Sequence, residues 1–189
     1  MKFYIKKLII SGKDKKDAAV EFSQGVNIIC GPSNTGKTKI FKCIYYILGG
    51  EKPPLDPTMG YTKIELILSV HNKEISFVRE LNNSKIHVDS KYDKVLSGEY
   101  SASTGGKYEK TINSIWMSLI GIDEKKNIIK SAKYKRQVLS ILTIAHLFML
   151  SETNIISEES ILKSPHVTNN TAVFSSIIYL LKELDYKEM

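Results

Sequence analysis

The segment Gly31-Pro32-Ser33-Asn34-Thr35-Gly36-Lys37-Thr38 constrains this chain more tightly than any other. It fits G-x-x-x-x-G-K-[ST] at every fixed position. The glycines let the main chain curl so that successive N–H groups turn inward as an anion nest. A helix opening at the second glycine aims its free amides and positive dipole end at the same point. Lys37 adds a mobile ammonium suited to the β- and γ-phosphates of a nucleotide. The Thr38 hydroxyl is the kind of oxygen that ligates Mg²⁺. The expected site is therefore Gly31, Pro32, Ser33, Asn34, Thr35, Gly36, Lys37, Thr38 and the adjoining Lys39, taking ATP with Mg²⁺. Lys37 is the catalytic candidate and Thr38 the metal ligand.

The same motif also describes a glycine turn that merely joins strand to helix, so its flanks decide. Phe3 to Ser11 is rich in β-branched and aromatic residues and reads as a strand; Lys13 to Asp17 reads as a turn. Ala18 to Phe22 reads as a second strand. Ser23-Gln24-Gly25 then turns into a third, Val26 to Cys30, which ends where the loop begins. After the loop, Ile40, Phe41, Ile44, Ile47 and Leu48 recur at helical spacing, and Gly49-Gly50 supplies a C-terminal stop. Strand, glycine loop and helix follow one another as a phosphate site requires.

The next hundred residues choose among folds that share this loop. Pro53, Pro54 and Pro57 enforce an irregular connection. Ile64, Leu66, Leu68 and Val70 alternate, so Lys63 to Val70 is a strand with one apolar face. His71-Asn72-Lys73 turns into Glu74 to Arg79, and Asn82-Asn83 turns into Lys85 to Val88. With no helix between strands, residues 60–90 form an antiparallel meander, whereas parallel P-loop folds alternate strand and helix. A guanine reader needs N-K-x-D; Asn72-Lys73-Glu74-Ile75 lacks its Asp. Ser97 to Lys107 reads as a polar loop. Thr111 to Ile120 reads as a helix ended by Gly121, Arg136 to Leu147 as a buried helix, and Ala172 to Leu184 as a final helix.

Composition narrows the setting. The 189 residues carry 27 Lys and Arg against 20 Asp and Glu, a net +7 that favours polyanionic partners. Cys30 and Cys43 lack metal-ligand spacing and sit in segments that read as core, so they are expected as free buried thiols in a reducing compartment. Val138 to Leu150 is too short to span a bilayer. The N-terminus has no extended apolar run or cleavage site. A cytoplasmic protein without membrane contact is expected.

At this point the residues resemble a family. Phe22, Gly25, Asn27, Ile29, Gly31, Gly36, Lys37 and Thr38 occupy the run F-x-x-G-x-N-x-I-x-G-x-x-x-x-G-K-[ST]. That run is similar to the N-terminal lobe of the SMC-like ATPases with ABC-type heads, which serve DNA repair and bacterial antiviral defence. The resemblance implies an α/β P-loop NTPase fold. Residues 1–50 would form the P-loop core, residues 60–90 the antiparallel β-subdomain, and residues 110–189 a helical part leading to a coiled coil. It further implies two heads closing on ATP, each site completed by a signature loop and a Walker B strand from another lobe. The expected partner is a second copy or a complementary ATPase lobe, with DNA on the basic surface.

Hydrolysis would also need an acid near the metal and the attacking water. Leu119-Ile120-Gly121-Ile122-Asp123-Glu124 imitates a Walker B strand, but its apolar residues continue the helical face begun at Ile112. Leu147 to Glu152 lies where the resembled family places its Q-loop, with Ser151 and Glu152 in place of Gln. Glu152 is thus the candidate acid, and a surface acid at a helix start is the equal alternative. Leu96-Ser97-Gly98-Glu99 echoes the L-S-G-G-Q signature too early in the chain, and His146 reads as a satisfied core histidine. Two rival functions follow. A complete small phosphotransferase using Asp123 or Glu124 requires a parallel strand at residues 118–122. A non-catalytic, ATP-gated interaction module does not.

Overall fold

The computed structural model describes residues 3–103, 110–122, 126–131, 133–156, 160 and 170–182. They form two compact units, residues 1–115 and 116–189. The first is built on a six-stranded sheet: β1 (Phe3–Gly12), β2 (Lys15–Glu21), β3 (Lys63–Val70), β4 (Lys73–Glu80), β5 (Lys85–Ser90) and β6 (Gly98–Ser101). The spatial order is β2-β1-β3-β4-β5-β6, and every neighbouring pair is antiparallel. Alternation in the sequence sets the register. Leu8 lies opposite Leu66, Leu66 opposite Phe77, and Phe77 opposite Val88, so these four side chains form one buried row across the sheet. Slipping any strand by one residue would turn that row toward solvent. His71 and Asn72, at φ 49° and 63°, close the β3–β4 hairpin in the left-handed turn that suits strand twist.

Helix α1 (Lys37–Ile47) packs on β3 and β4 and buries Cys43, Tyr46 and Ile47. Its end is a Schellman motif: Gly50 N–H donates to Tyr45 O (3.1 Å) and Gly49 N–H to Tyr46 O (3.2 Å). The turn of the first hairpin is tighter than the sequence reading, because Lys15 to Asp17 joins β2. The polar stretch from Ser97 also contains β6, which extends the meander. Two hydrogen bonds hold its start: Ser97 Oγ accepts from Ser90 N–H (2.9 Å), and Tyr100 Oη donates to Leu96 O (2.7 Å). Residues 104–107 of that expected loop lie outside the described residues. The segment that resembles a signature loop is therefore the entry to an edge strand.

The expected strand Val26 to Cys30 does not form. These five residues pair with no other strand among the described residues, and all are exposed, Val26 at 92% and Ile28 at 82%. A strand is defined by its ladder, which β-propensity alone cannot supply. Cys30, expected in the core, is exposed with it, while Cys43 is buried.

In the second unit, helix α2 (Ile112–Leu119, which begins in the first unit) ends in another Schellman motif. Gly121 sits at φ 81°, Ile122 N–H donates to Met117 O (2.9 Å) and Gly121 N–H to Ser118 O (3.1 Å). Residues 118–122 thus terminate a helix, and the strand required by the phosphotransferase reading is absent. Its proposed acids, Asp123 and Glu124, lie outside the described residues. Arg136–Val138 is a strand, β8, and not the start of a helix: it pairs antiparallel with β7 (Asn127–Ile129). The helix begins later because Ser140 Oγ caps Thr143 N–H (3.3 Å), fixing the start of α3 (Ile141–Ile144). A 3₁₀ turn (Ala145–Leu147), α4 (Glu152–Ile155) and α5 (Asn170–Lys182) follow. Leu184, expected in the last helix, lies outside the described residues. Ile128, Leu139, Ile144, Val173 and Tyr179 are buried in this unit. Among the described residues no helix is long and apolar enough to cross a membrane.

His146 is buried in the 3₁₀ turn, but neither ring nitrogen has a hydrogen-bond partner among the described residues, so it is not the satisfied core histidine expected. Burial lowers its pKa below the ordinary 6.5, opposed in part by the main-chain group of Thr143. The unfolded chain therefore takes up a proton that the folded ring resists. Unfolding free energy should fall as pH drops through about 6.5 and level off once the folded-state pKa is passed. Urea titrations of wild type and His146→Phe at pH 5 to 8 test this: the downward slope should belong to wild type. The thiols test the packing of α1. Burial pushes Cys43 up to about 12, so Ellman's reagent at mildly alkaline pH should modify Cys30 rapidly and Cys43 only on unfolding.

Candidate functional site

The Gly31–Gly36 loop enters α1 through Gly36, whose φ of 92° lies in the left-handed region. Asn34, at φ 62°, shares that conformation two residues earlier, as asparagine tolerates. Such alternation folds amides to one side as a nest. Thr35 Oγ1 donates to Pro32 O (2.8 Å) and closes the loop from within. No main-chain N–H of residues 33–36 is used in a hydrogen bond among the described residues. Lys37 and Thr38 open the helix, where amides have no intrahelical acceptor. Gly36 offers no side-chain cap, and the first turn of α1 holds no acid. The positive end of this helix thus carries neither a side-chain cap nor an acid of its own first turn.

Lys37 folds back across the loop, its Nζ donating to Gly31 O (2.8 Å) and Pro32 O (2.5 Å). The ammonium is therefore parked on loop carbonyls beside the exposed amides. Thr38 is exposed in the first helical turn. Lys39 faces elsewhere: its Nζ donates to Pro54 O (3.1 Å), tying α1 to the proline-rich connection, and its N–H donates to Gly36 O (2.8 Å). Asn27 explains the G-x-N part of the sequence run. Its Oδ1 accepts from Ser23 N–H (2.8 Å) and its Nδ2 donates to Ser23 O (2.8 Å) and Gly25 O (3.1 Å), stapling the turn that leads to the loop. Glu152 is the exposed first residue of α4, in the second unit. Among the described residues no cluster of three or more His, Cys, Asp or Glu is arranged to hold a metal.

One residue that the sequence reading passed over supports the site from behind. Arg79 is only 4% exposed. Its Nη1 donates to Tyr46 O (2.6 Å) and Gly50 O (2.8 Å), its Nε to Asn83 O (3.0 Å), and its guanidinium lies 3.6 Å from the centre of the Tyr46 ring. Tyr46 Oη in turn donates to Glu80 O (2.9 Å) and Leu81 O (2.8 Å). The last turn of α1 contains no basic residue of its own, so Arg79 supplies the cation that its negative dipole end favours. Burial lowers the pKa of Arg79, which the interaction with Tyr46 partly offsets. A signal was present: Arg79 falls in phase with Ile75 and Phe77 on the apolar face of its strand.

Residues 6–186 match the family described as AAA domain. The chain belongs to that family. The AAA domain is also similar to the Lamassu protein LmuB of Bacillus cereus (strain VD014), with 29% identity over 128 residues, which are 66% of this chain and 22% of LmuB. A DNA replication and repair protein RecF from Clostridium kluyveri shares 24% identity over 143 residues, 73% of this chain and 38% of RecF. The AAA domain therefore spans well under half the length of either relative. The affinity with SMC-like ATPases of the repair and defence kind, read from Phe22 to Thr38, agrees with both.

Replacing Arg79 leaves the buried Tyr46 and Gly50 carbonyls without this donor. Arg79→Met should destabilise the AAA domain by roughly 2–4 kcal/mol in urea unfolding. Arg79→Lys should fall between, because an ammonium cannot both fork two carbonyls and stack on the ring. Equal stability of Arg79→Met and wild type would contradict this arrangement.

Proposed function

We propose that this AAA domain is the ATP-binding half of an SMC-like, ABC-type head that closes around ATP with a second copy or a complementary lobe, and that acts on DNA or in antiviral defence. The observation that carries the reading is the loop itself: main-chain N–H groups of residues 33–36 without partners among the described residues, at a helix start with no side-chain cap, beside Lys37. A polyphosphate is the ligand these groups suit. In this reading the amides from Ser33 to Gly36 cradle phosphate, with Gly31, Pro32, Asn34 and Thr35 shaping the loop. The Lys37 ammonium leaves the Gly31 and Pro32 carbonyls and stabilises charge on the β- and γ-phosphates. Thr38 offers its hydroxyl to Mg²⁺, which would neutralise phosphate charge when bound. Lys39 serves by anchoring α1 to Pro54. Glu152 is the proposed acid for hydrolysis.

Exposure supports the half-head. Val26, Ile28 and Ile29 turn apolar side chains to water beside the loop, and Ile40, Phe41 and Ile44 on α1 are only half-buried. A complementary lobe would pair the main chain of residues 26–30 and cover these side chains. That arrangement makes the chain alone a binder of ATP and a poor hydrolase.

Calorimetry with ATP and Mg²⁺ should show one site per chain, and Lys37→Ala should weaken it by about 10- to 100-fold, the worth of a charge-assisted contact. Turnover by the purified chain should lie far below the ~10 s⁻¹ typical of enzymes. No ATP binding would end the nucleotide reading. Turnover at that typical rate would end the half-head reading while leaving the site intact.

A further inference from the structure

We propose that the β7–β8 hairpin is a nucleic-acid grip that holds phosphates with Lys130, Lys133 and Lys135 and stacks an unpaired base on Tyr134. This rests on the reading of the head as one that works on DNA and names the surface that does so. The first observation is charge. Residues 125–136 carry Lys125, Lys126, Lys130, Lys133, Lys135 and Arg136, and no Asp or Glu occurs from 125 to 151. Without those six cations the chain would be nearly neutral, so its basic surplus is concentrated here. An ordinary solvated face mixes both signs, because crowded like charges repel.

The second observation is the geometry of the tip. Tyr134 N–H donates to Ser131 O (2.9 Å) and Lys130 N–H to Lys135 O (2.6 Å), closing the connection between the strands. Lys130, Lys133 and Lys135 are exposed and make no salt bridge among the described residues. Between them Tyr134 is 78% exposed at φ 55°, a conformation that a bulky residue rarely adopts. The root is held: Ile128 is fully buried and β7 packs on α5. A fixed hairpin that offers three ammonium groups and one ring face suits a strand whose phosphates are accessible and whose bases are unstacked. It cannot read base edges, so sequence preference should be weak.

Fluorescence anisotropy of the full chain with a labelled single-stranded oligonucleotide of mixed sequence tests the grip, with heparin and phosphatidylserine vesicles as polyanions lacking bases. All titrations are run with and without ATP, and Lys37→Ala is included, so that a nucleotide-site defect is scored separately. Neutralising three contacts at about 0.7–0.9 counterions each predicts a steeper salt dependence for wild type than for K130Q/K133Q/K135Q. Between about 50 and 200 mM salt, wild type should lose about 20- to 40-fold more affinity than this variant. The matching triple Lys→Arg variant should restore binding, which a misfolded hairpin would not allow. Tyr134→Ala should lose at least about fivefold on the oligonucleotide and nothing on heparin. The proposal is overturned if wild type binds no oligonucleotide, if the Gln variant binds as wild type does, if vesicles bind in preference to oligonucleotide, or if Tyr134→Ala behaves alike on oligonucleotide and heparin. In the last three cases the reading of the ATP site is untouched.

Discussion

A buried guanidinium fixes the far end of the loop helix, and the position of the Gly31–Gly36 loop depends on it. Helix α1 points its free amides outward, so its carbonyl end must be satisfied inside the protein. Arg79 does this from β4 by donating to Tyr46 O and Gly50 O and stacking on the Tyr46 ring. The interaction is long in sequence and short in space. It joins the helix after the loop to a meander strand more than thirty residues later, and it works only in one register. Arg79 lies opposite Ile64 in the β3–β4 ladder; a slip of one residue would place Val78 or Glu80 at this position and leave the helix end without a cation. The meander therefore does more than fill space behind the loop. It sets the position of α1.

Those parts of the fold with a strong internal period were legible in the residues. Alternation at Ile64, Leu66, Leu68 and Val70 marks β3, and helical spacing followed by glycine marks α1 and α2, because burial of one face dictates each pattern. Shorter elements carried no such signal. Strand β6 lies in a polar run, with pairing to β5 fixed by hydrogen bonds that composition does not encode. Strand β8 occupies the expected start of a buried helix, and the decisive residue there is Ser140, whose hydroxyl caps a helix that begins at Ile141, five residues later than expected. At the site, the loop residues were readable from their spacing. Arg79 was hidden because a lone arginine in a strand is usually solvated; only its phase with Ile75 and Phe77 distinguishes it.

The segment Val26 to Cys30 is a different kind of miss. Its β-branched residues match strand propensity, yet it has no ladder and lies in water. Helix α1 points the same way. Its apolar residues were expected on one face through Ile40, Phe41, Ile44, Ile47 and Leu48, whereas the sheet covers Cys43, Tyr46, Ile47 and Leu48 and leaves Ile40, Phe41 and Ile44 half-buried. An apolar surface wider than one stripe is characteristic of a helix enclosed on more than one side. The two departures adjoin the same loop, and one covering element would resolve both.

The Gly31–Gly36 loop owes its curl to contacts of its own. The Lys37 ammonium is satisfied by the Gly31 and Pro32 carbonyls, and Thr35 closes the turn, so among the described residues the loop holds its curl through contacts that leave the amides of residues 33–36 unused. In the proposed site an anion entering that curl would meet donors already oriented and would displace only a lysine from two neutral oxygens. The ordering is done in advance by Asn34 and Gly36, whose left-handed conformations are written into the sequence. Binding energy is then available for charge and not for folding the loop. The affinity of the proposed site would then come from preorganisation, with the same helix anchored at its other end by Arg79.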